Sequence, residues 1–281
     1  MLEHTVAVSD GTLMPAVDAT LPVAAIEHEE IRRTVTHLAS DSYSTPANLL
    51  LSALPQADYK RLLPHLQPTL LHAGQVLHTC NTPSCGVHFI DDGVVSAVLS
   101  SGDGHEMETI TIGREGMVGR AASILGDTPT FRHATVHVGG RAWWLPVEAL
   151  KREFERRGAL HDLLVGYTDA LLTEAGQIAM CKRWHKIEAR LSHWLLLLRE
   201  RAQTDELPFT QDFIAELIEA RPAEVTVASG LLWKEGLIRF NNNRVTILNP
   251  QGLQAKACEC AAVIQQEYEQ LRLAATKPYA A

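Results

Sequence analysis

Arg221, Glu224, Thr226 and Val227 lie together in residues 221–235, where Val225, Ala228 and Leu232 recur at three- and four-residue steps. That spacing predicts a helix with Val225, Ala228 and Leu232 packed inward and its other side turned out. The chemistry open to such a side is recognition. An arginine at a helix start can pair with a guanine edge or a nearby phosphate, and a threonine or valine can touch a thymine methyl. Glu224 would share in specificity. The remaining outward positions, Ala223 and Gly230, are poor hydrogen-bond readers. Lys186 and Arg244, on either side of the stretch, are candidate phosphate contacts.

Other constellations carry less. Cys258-Glu259-Cys260 invites a metal, but zinc sites usually pair two cysteine clips and no second clip is visible. Cys80 and Cys85 are the only cysteine pair in the N-terminal half, too few for an iron–sulfur cluster. Idle or buried thiols are expected, with no metal and no cofactor. His133 and His137 would share one face of a strand with Thr135 between them, which reads as unrelated histidines. There is no glycine-rich phosphate loop, nucleophile elbow or paired catalytic carboxylate, so no enzyme is expected.

The elements that must hold the recognition face can be read around it. Thr210 is a candidate N-cap with Asp212 in the first turn, and Phe213, Ile214, Leu217 and Ile218 follow at helical spacing. Pro222 suits the first turn of a second helix, and Gly236 is a natural stop. Residues 236–240 and 245–248 read as strands, with Asn241-Asn242-Asn243 as their turn. Helix, turn, helix and hairpin make a winged helix-turn-helix, whose second helix would enter a DNA major groove. The competing reading is a small helical subdomain that only packs.

Upstream, residues 1–45 read as a mobile extension with one short helix at 27–38; a partner-binding tail is the alternative. A helical stretch at 48–66 precedes short strands at roughly ten-residue spacing, which predict an antiparallel β-roll up to about residue 150. Leu160, Leu164, Tyr167, Leu171 and Ile178 then mark a long helix with a near-heptad stripe, read as a dimer seam. A basic helix at 186–201 follows, with Leu191, Trp194, Leu195 and Leu198 inward. One amphipathic helix from 250 to about 273 closes the chain.

Composition is that of a soluble globular protein, and 281 residues suffice for two domains. No apolar run approaches a membrane span, and the N-terminus lacks the pattern of a secretory signal. With five cysteines and no export signal, reduced thiols and a cytoplasmic location are expected. Net charge is −8, unusual for a DNA binder. Residues 182–201 hold six Lys/Arg against two Glu, a local net of +4, whereas 205–250 hold four against seven acids, a net of −3.

The order of parts resembles the cyclic-AMP receptor protein and fumarate-nitrate regulator (CRP/FNR) superfamily of bacterial transcription factors over about residues 46–260. The resemblance is carried by 87–95 (VHFIDDGVV), similar to the family's phenylalanine–isoleucine–acid–x–glycine hairpin, and by 114–119 (REGMVG), similar to its turn before a short helix. Residues 181–196 are similar to the helix that opens the DNA-binding domain. The resemblance implies an α+β protein with this organisation: extension 1–45, cyclic-nucleotide-binding-like, jelly-roll-like sensor 46–150, dimerisation helix 151–185, winged helix-turn-helix 186–250, and C-terminal helix and tail 251–281. It implies a homodimeric regulator on a palindromic operator of double-stranded DNA, with RNA polymerase as a further partner. The effector pocket would involve Gly119, Arg120, Arg132 and His133. Cyclic-AMP binders of the family carry glutamate where Arg120 stands and a small hydroxyl residue where His133 stands. Arginine cannot accept a bond from a ribose hydroxyl, so an effector other than cyclic AMP is expected. The alternative is a sensor or interaction module whose winged helix no longer reads DNA.

Overall fold

The computed structural model describes residues 46–78, 86–101, 103, 106–119, 132–241 and 243–275. All of them belong to the compact unit Tyr43–Ala281. The expected extension 1–45, Cys80, Cys85 and Arg120 lie outside the described residues.

Among the described residues, eight short strands build the first half: β1 (Gln67–Leu71), β2 (Val76–His78), β3 (Gly86–Ile90), β4 (Val94–Ser100), β5 (Glu106–Ile112), β6 (Met117–Val118), β7 (Arg132–Val138) and β8 (Gly140–Pro146). They form two antiparallel sheets, ordered β1-β8-β3-β6 and β2-β7-β4-β5, as the short, closely spaced strands predict. Strand β3 is buried on both faces. Ile90 joins Val95, Ile110 and Val136 between the sheets, while Val87 and Phe89 face Trp143, Leu145 and Leu150. The second face needs a cover, and helices α1 (Leu49–Ala53), α2 (Gln56–Leu62), α3 (Val147–Glu155) and the start of α4 (Ala159–Trp184) provide it.

The hairpin after β3 is locked by buried polar groups. Asn48 caps α1 and donates from Nδ2 to the carbonyls of Ile90 and Gly116, both at 2.8 Å. Asp91 accepts from the Asn48 backbone and from Trp143 Nε1, each at 2.9 Å. Gly93 takes φ +112°, open to glycine but costly for other residues. The acid–x–glycine pattern is thus a structural lock.

His88, on the inter-sheet side of β3, is pushed down to about 4 by burial. Unfolded, it would take a proton near its ordinary 6.5. Stability from this group is therefore full above pH 6.5 and falls, by at most about 3 kcal/mol, as pH drops through 4. Urea midpoints of the wild type and His88→Gln at pH 7 and 4.5 check this. The wild type should lose more on acidification; equal losses would contradict it.

Helix α4 runs 26 residues, roughly 39 Å. Helix α5 (Ile187–Ala202), β9 (Glu206–Leu207), α6 (Gln211–Leu217), α7 (Pro222–Lys234), β10 (Ile238–Asn241) and β11 (Arg244–Ile247) follow. The wing is three-stranded, β10-β11-β9, one strand more than the sequence suggests. Its core joins Leu191, Leu195 and Leu198 to Ile214, Val225, Leu232 and Val245.

Two expectations are corrected. The closing segment is two helices, α8 (Pro250–Lys256) and α9 (Glu259–Ala275), because Ala257 is extended at φ −67°, ψ 155°. The stripe Leu160, Leu164, Tyr167 and Ile178 is buried inside the chain, with Leu171 packed beside it. It meets the sheet cover, the winged core and α9, so it leaves no surface for a dimer partner. The face left open on α4 carries Val165, Asp169, Leu172, Gly176, Ala179 and Arg183, which recur at alternating four- and three-residue steps. No helix among the described residues is long and apolar enough to cross a membrane.

Candidate nucleic-acid interface

Helix α7 presents the predicted outward side. Thr210 Oγ1 accepts from Phe213 N at 3.1 Å and starts α6, while Arg221 caps α7 with Pro222 in its first turn. Glu224 accepts from the Arg221 backbone N–H at 3.0 Å. Val225, Ala228, Ser229 and Leu232 turn inward. Outward are Ala223, Thr226, Val227, Leu231 and Trp233, with Val227 66% exposed. This face is more apolar than the sequence suggested, since Leu231 and Trp233 were missed. Val227 and Leu231, with Ile187 and Ala223, wall a groove of about 510 Å³.

Arg221 is the cation at the mouth of this helix, its side chain 82% exposed and 2.8 Å from Glu224 Oε1. The side-chain hydrogen bond from Arg221 holds the Glu224 carboxyl down to about 2. Exposed pairs of this kind are weak, so the guanidinium can exchange Glu224 for another acceptor. Thr226 Oγ1 lies 2.9 Å from Gln211 Oε1 and 3.0 Å from the Pro222 carbonyl. Lys186 is exposed at the start of α5, and Arg244 pairs with Glu206 across the wing.

The basic segment 182–201 does not form one surface. Arg190 and Arg201 are buried, Arg199 pairs with Asp205, and Lys182 with Glu219. Arg183 stacks on Trp184 at 5.3 Å. Of the six cations, two are buried and two more are paired with acids.

Arg201 is the centre of a buried hub. Its Nη2 donates to both oxygens of Glu174 at 2.8 Å, Nε stands 2.8 Å from Glu115 Oε1, and Nη1 donates to Thr111 Oγ1. Tyr268 donates to Glu174 Oε2 at 2.7 Å. The hub therefore joins the turn at 114–119, β5, α4, α5 and α9. Burial raises the Glu174 carboxyl above its usual range, with Arg201 opposing. A second link is a ring contact: His137 on β7 lies 4.5 Å from Phe213 of α6, ring centre to ring centre.

In the expected effector pocket, Gly119 takes φ +141° against Val87, and His133 pairs with Val98 across β4 and β7. Arg120 and the Arg132 side chain lie outside the described residues.

The fold gives Cys258 and Cys260 neighbours that the sequence does not show. Cys181 and His185 stand beside them: the four ligand atoms lie within 4.8 Å of one another. Cys181 and His185 stand one helical turn apart, so no pair of cysteines marks them in the sequence.

A family model described as a Crp-like helix-turn-helix domain matches residues 189–256. No curated protein matches the chain by sequence. Among solved structures, the chain is similar to one described as a transcriptional regulator of the CRP/FNR family from Eubacterium rectale, at 20% identity and TM-score 0.52, over 73% of this chain and 96% of that one. It is similar to FixK2 from Bradyrhizobium japonicum at 14% identity and TM-score 0.57, over 69% and 98%. It is also similar to a protein described as a cAMP-binding regulator from Silicibacter pomeroyi, at 20% identity and TM-score 0.54, over 75% and 95%.

Proposed function

We propose, on the premise that this chain belongs to the CRP/FNR superfamily by its Crp-like helix-turn-helix domain and its fold, that it is a transcription regulator acting as a homodimer on a two-fold symmetric DNA site. The observation that carries this reading is the outward side of α7, with Arg221 at its start and Val227 exposed among the described residues. A helix so presented fits a major groove. Two copies joined along the open face of α4 would present two such helices, with half-sites about one helical turn apart.

Arg221 is assigned a base edge, with Lys186 and Arg239, exposed on the wing strand, at phosphates. Arg221→Ala is expected to weaken binding to the selected site roughly 5- to 150-fold and to relax selectivity at one position of each half-site. Lys186→Ala should weaken all sequences alike and lower the slope of log affinity against log salt by about one. Fluorescence anisotropy on specific and random duplexes separates these outcomes. Equal losses on both duplexes with Arg221→Ala would make it a phosphate clamp.

A second reading has its own observation. The α7 face is mainly apolar, through Val227, Leu231 and Trp233, and Arg190 and Arg201 are withdrawn into the fold. Such a face also suits a protein-interaction module that does not select DNA.

A further inference from the structure

We propose that Cys181, His185, Cys258 and Cys260 form a tetrahedral site for one thiophilic divalent cation, zinc by class, that ties the end of α4 to the break between α8 and α9. Their ligand atoms are already gathered. Cys181 Sγ lies 3.4 Å from Cys258 Sγ, and Cys260 Sγ lies 3.6 Å from His185 Nδ1. Zinc–sulfur bonds of about 2.3 Å and zinc–nitrogen bonds of about 2.0–2.1 Å place tetrahedral ligand atoms roughly 3.5–3.8 Å apart. A disulfide would need sulfurs about 2.05 Å apart, so the pair is not one. All four atoms within 4.8 Å fit a single ion. Clusters of several irons would spread the sulfurs over different metal atoms.

Local structure explains why these residues converge. Cys181 and His185 are one turn apart where α4 ends, so both face the same side. Residues two apart on a continuous helix would diverge. The extended Ala257 breaks the helix and lets Cys258 and Cys260 both reach inward. All three cysteines are free and buried.

Surrounding groups complete the site as a ligand shell would. The other ring nitrogen of His185, Nε2, stands 3.2 Å from Glu259 Oε1. Carboxylate behind histidine is the arrangement that orients a metal-bound imidazole and raises its basicity. His193 Nδ1 lies 3.6 Å from both the Cys181 and Cys258 sulfurs, and its buried Nε2 has no partner among the described residues. It is placed as a hydrogen-bond donor to the sulfurs. Three thiolates and a divalent cation carry a net −1, and the buried Arg190 is close enough to Cys181 for their charges to interact. The bound ion would hold α9 against α4 where the chain turns into α5, so metal loss or thiol oxidation would loosen that junction.

The test uses the full chain, purified without chelator, and does not depend on any DNA site. Elemental analysis should find one zinc per chain. Chelator-stripped protein titrated with cobalt(II) should develop the visible bands of tetrahedral, thiolate-bound cobalt at one equivalent. Cys260→Ser and His185→Ala should abolish those bands. Glu259→Gln should keep them but weaken affinity about tenfold or more, and His193→Gln should keep them. Folded, stripped wild-type protein that gives no such bands would overturn the site, whatever the variants do. Iron with stoichiometric sulfide would overturn the single ion. Loss of the bands in His193→Gln but not in His185→Ala would overturn the ligand set.

Discussion

Arg201→Ala is expected to cost the folded chain about 3–5 kcal/mol, the usual loss when one partner of a buried ion pair is removed. Arg201 and Glu174 are both buried, and Glu115 shares the same guanidinium. Without it, Glu174 keeps only the Tyr268 hydroxyl as a donor among the bonds described. The pH dependence follows from sign. Burial already raises Glu174, and removing the cation raises it further. A carboxyl with a raised folded value contributes stability below its unfolded value and loses it as pH rises through the folded one. The deficit of Arg201→Ala should therefore be larger at pH 8 than at pH 5. Adding Glu174→Gln should restore part of it, as coupled neighbours do. Urea denaturation of the single and double variants at both pH values is the check. A deficit under about 1 kcal/mol, the range of exposed pairs, would show that the hub does not hold these elements together.

The second large effect concerns association. Leu172 is 68% exposed on α4 and Gly176 opens onto empty space, in register with Val165 and Ala179. Leu172→Glu should give a folded monomer, because the carboxylate costs nothing in water but cannot be buried unpaired against its symmetry mate. Losing the second reader helix should weaken operator binding by roughly 10²- to 10⁴-fold. Leu164→Glu should behave differently and unfold the chain, since Leu164 is 3% exposed within it. Sedimentation velocity with circular dichroism separates the cases. A dimer that survives Leu172→Glu would place the seam elsewhere.

The winged helix was legible because its signals are local. Thr210, Pro222 and Gly236 mark ends through their own backbone and side-chain chemistry, and Val225, Ala228 and Leu232 mark a face through spacing alone. The role of the long helix was harder. Its strongest apolar stripe marks burial, and spacing cannot tell burial by the chain's own roll and α9 from burial by a second copy. The weaker stripe through Val165 and Leu172 became visible only once the first was covered. Glu174 and Arg201 did leave a trace, each standing at a core position of its helix: Glu174 between Ala170 and Ile178, Arg201 after Leu198. Opposite charges on two buried stripes are the sign of a pair, but nothing in one sequence says that two remote stripes meet. The gathering of the cysteines was not legible for a related reason. Cys181 and His185 lie far from Cys258 in the chain, and only the return of α9 along α4 brings them together.

The central claim is that α7 reads DNA in a symmetric pair. Sequencing the DNA cross-linked to the full-length protein in cells tests it most directly. An enriched palindrome with half-sites about one helical turn apart is expected, lost with Arg221→Ala and Leu172→Glu. A flat profile from folded, dimeric protein would contradict it and leave the apolar face of α7 to a protein partner.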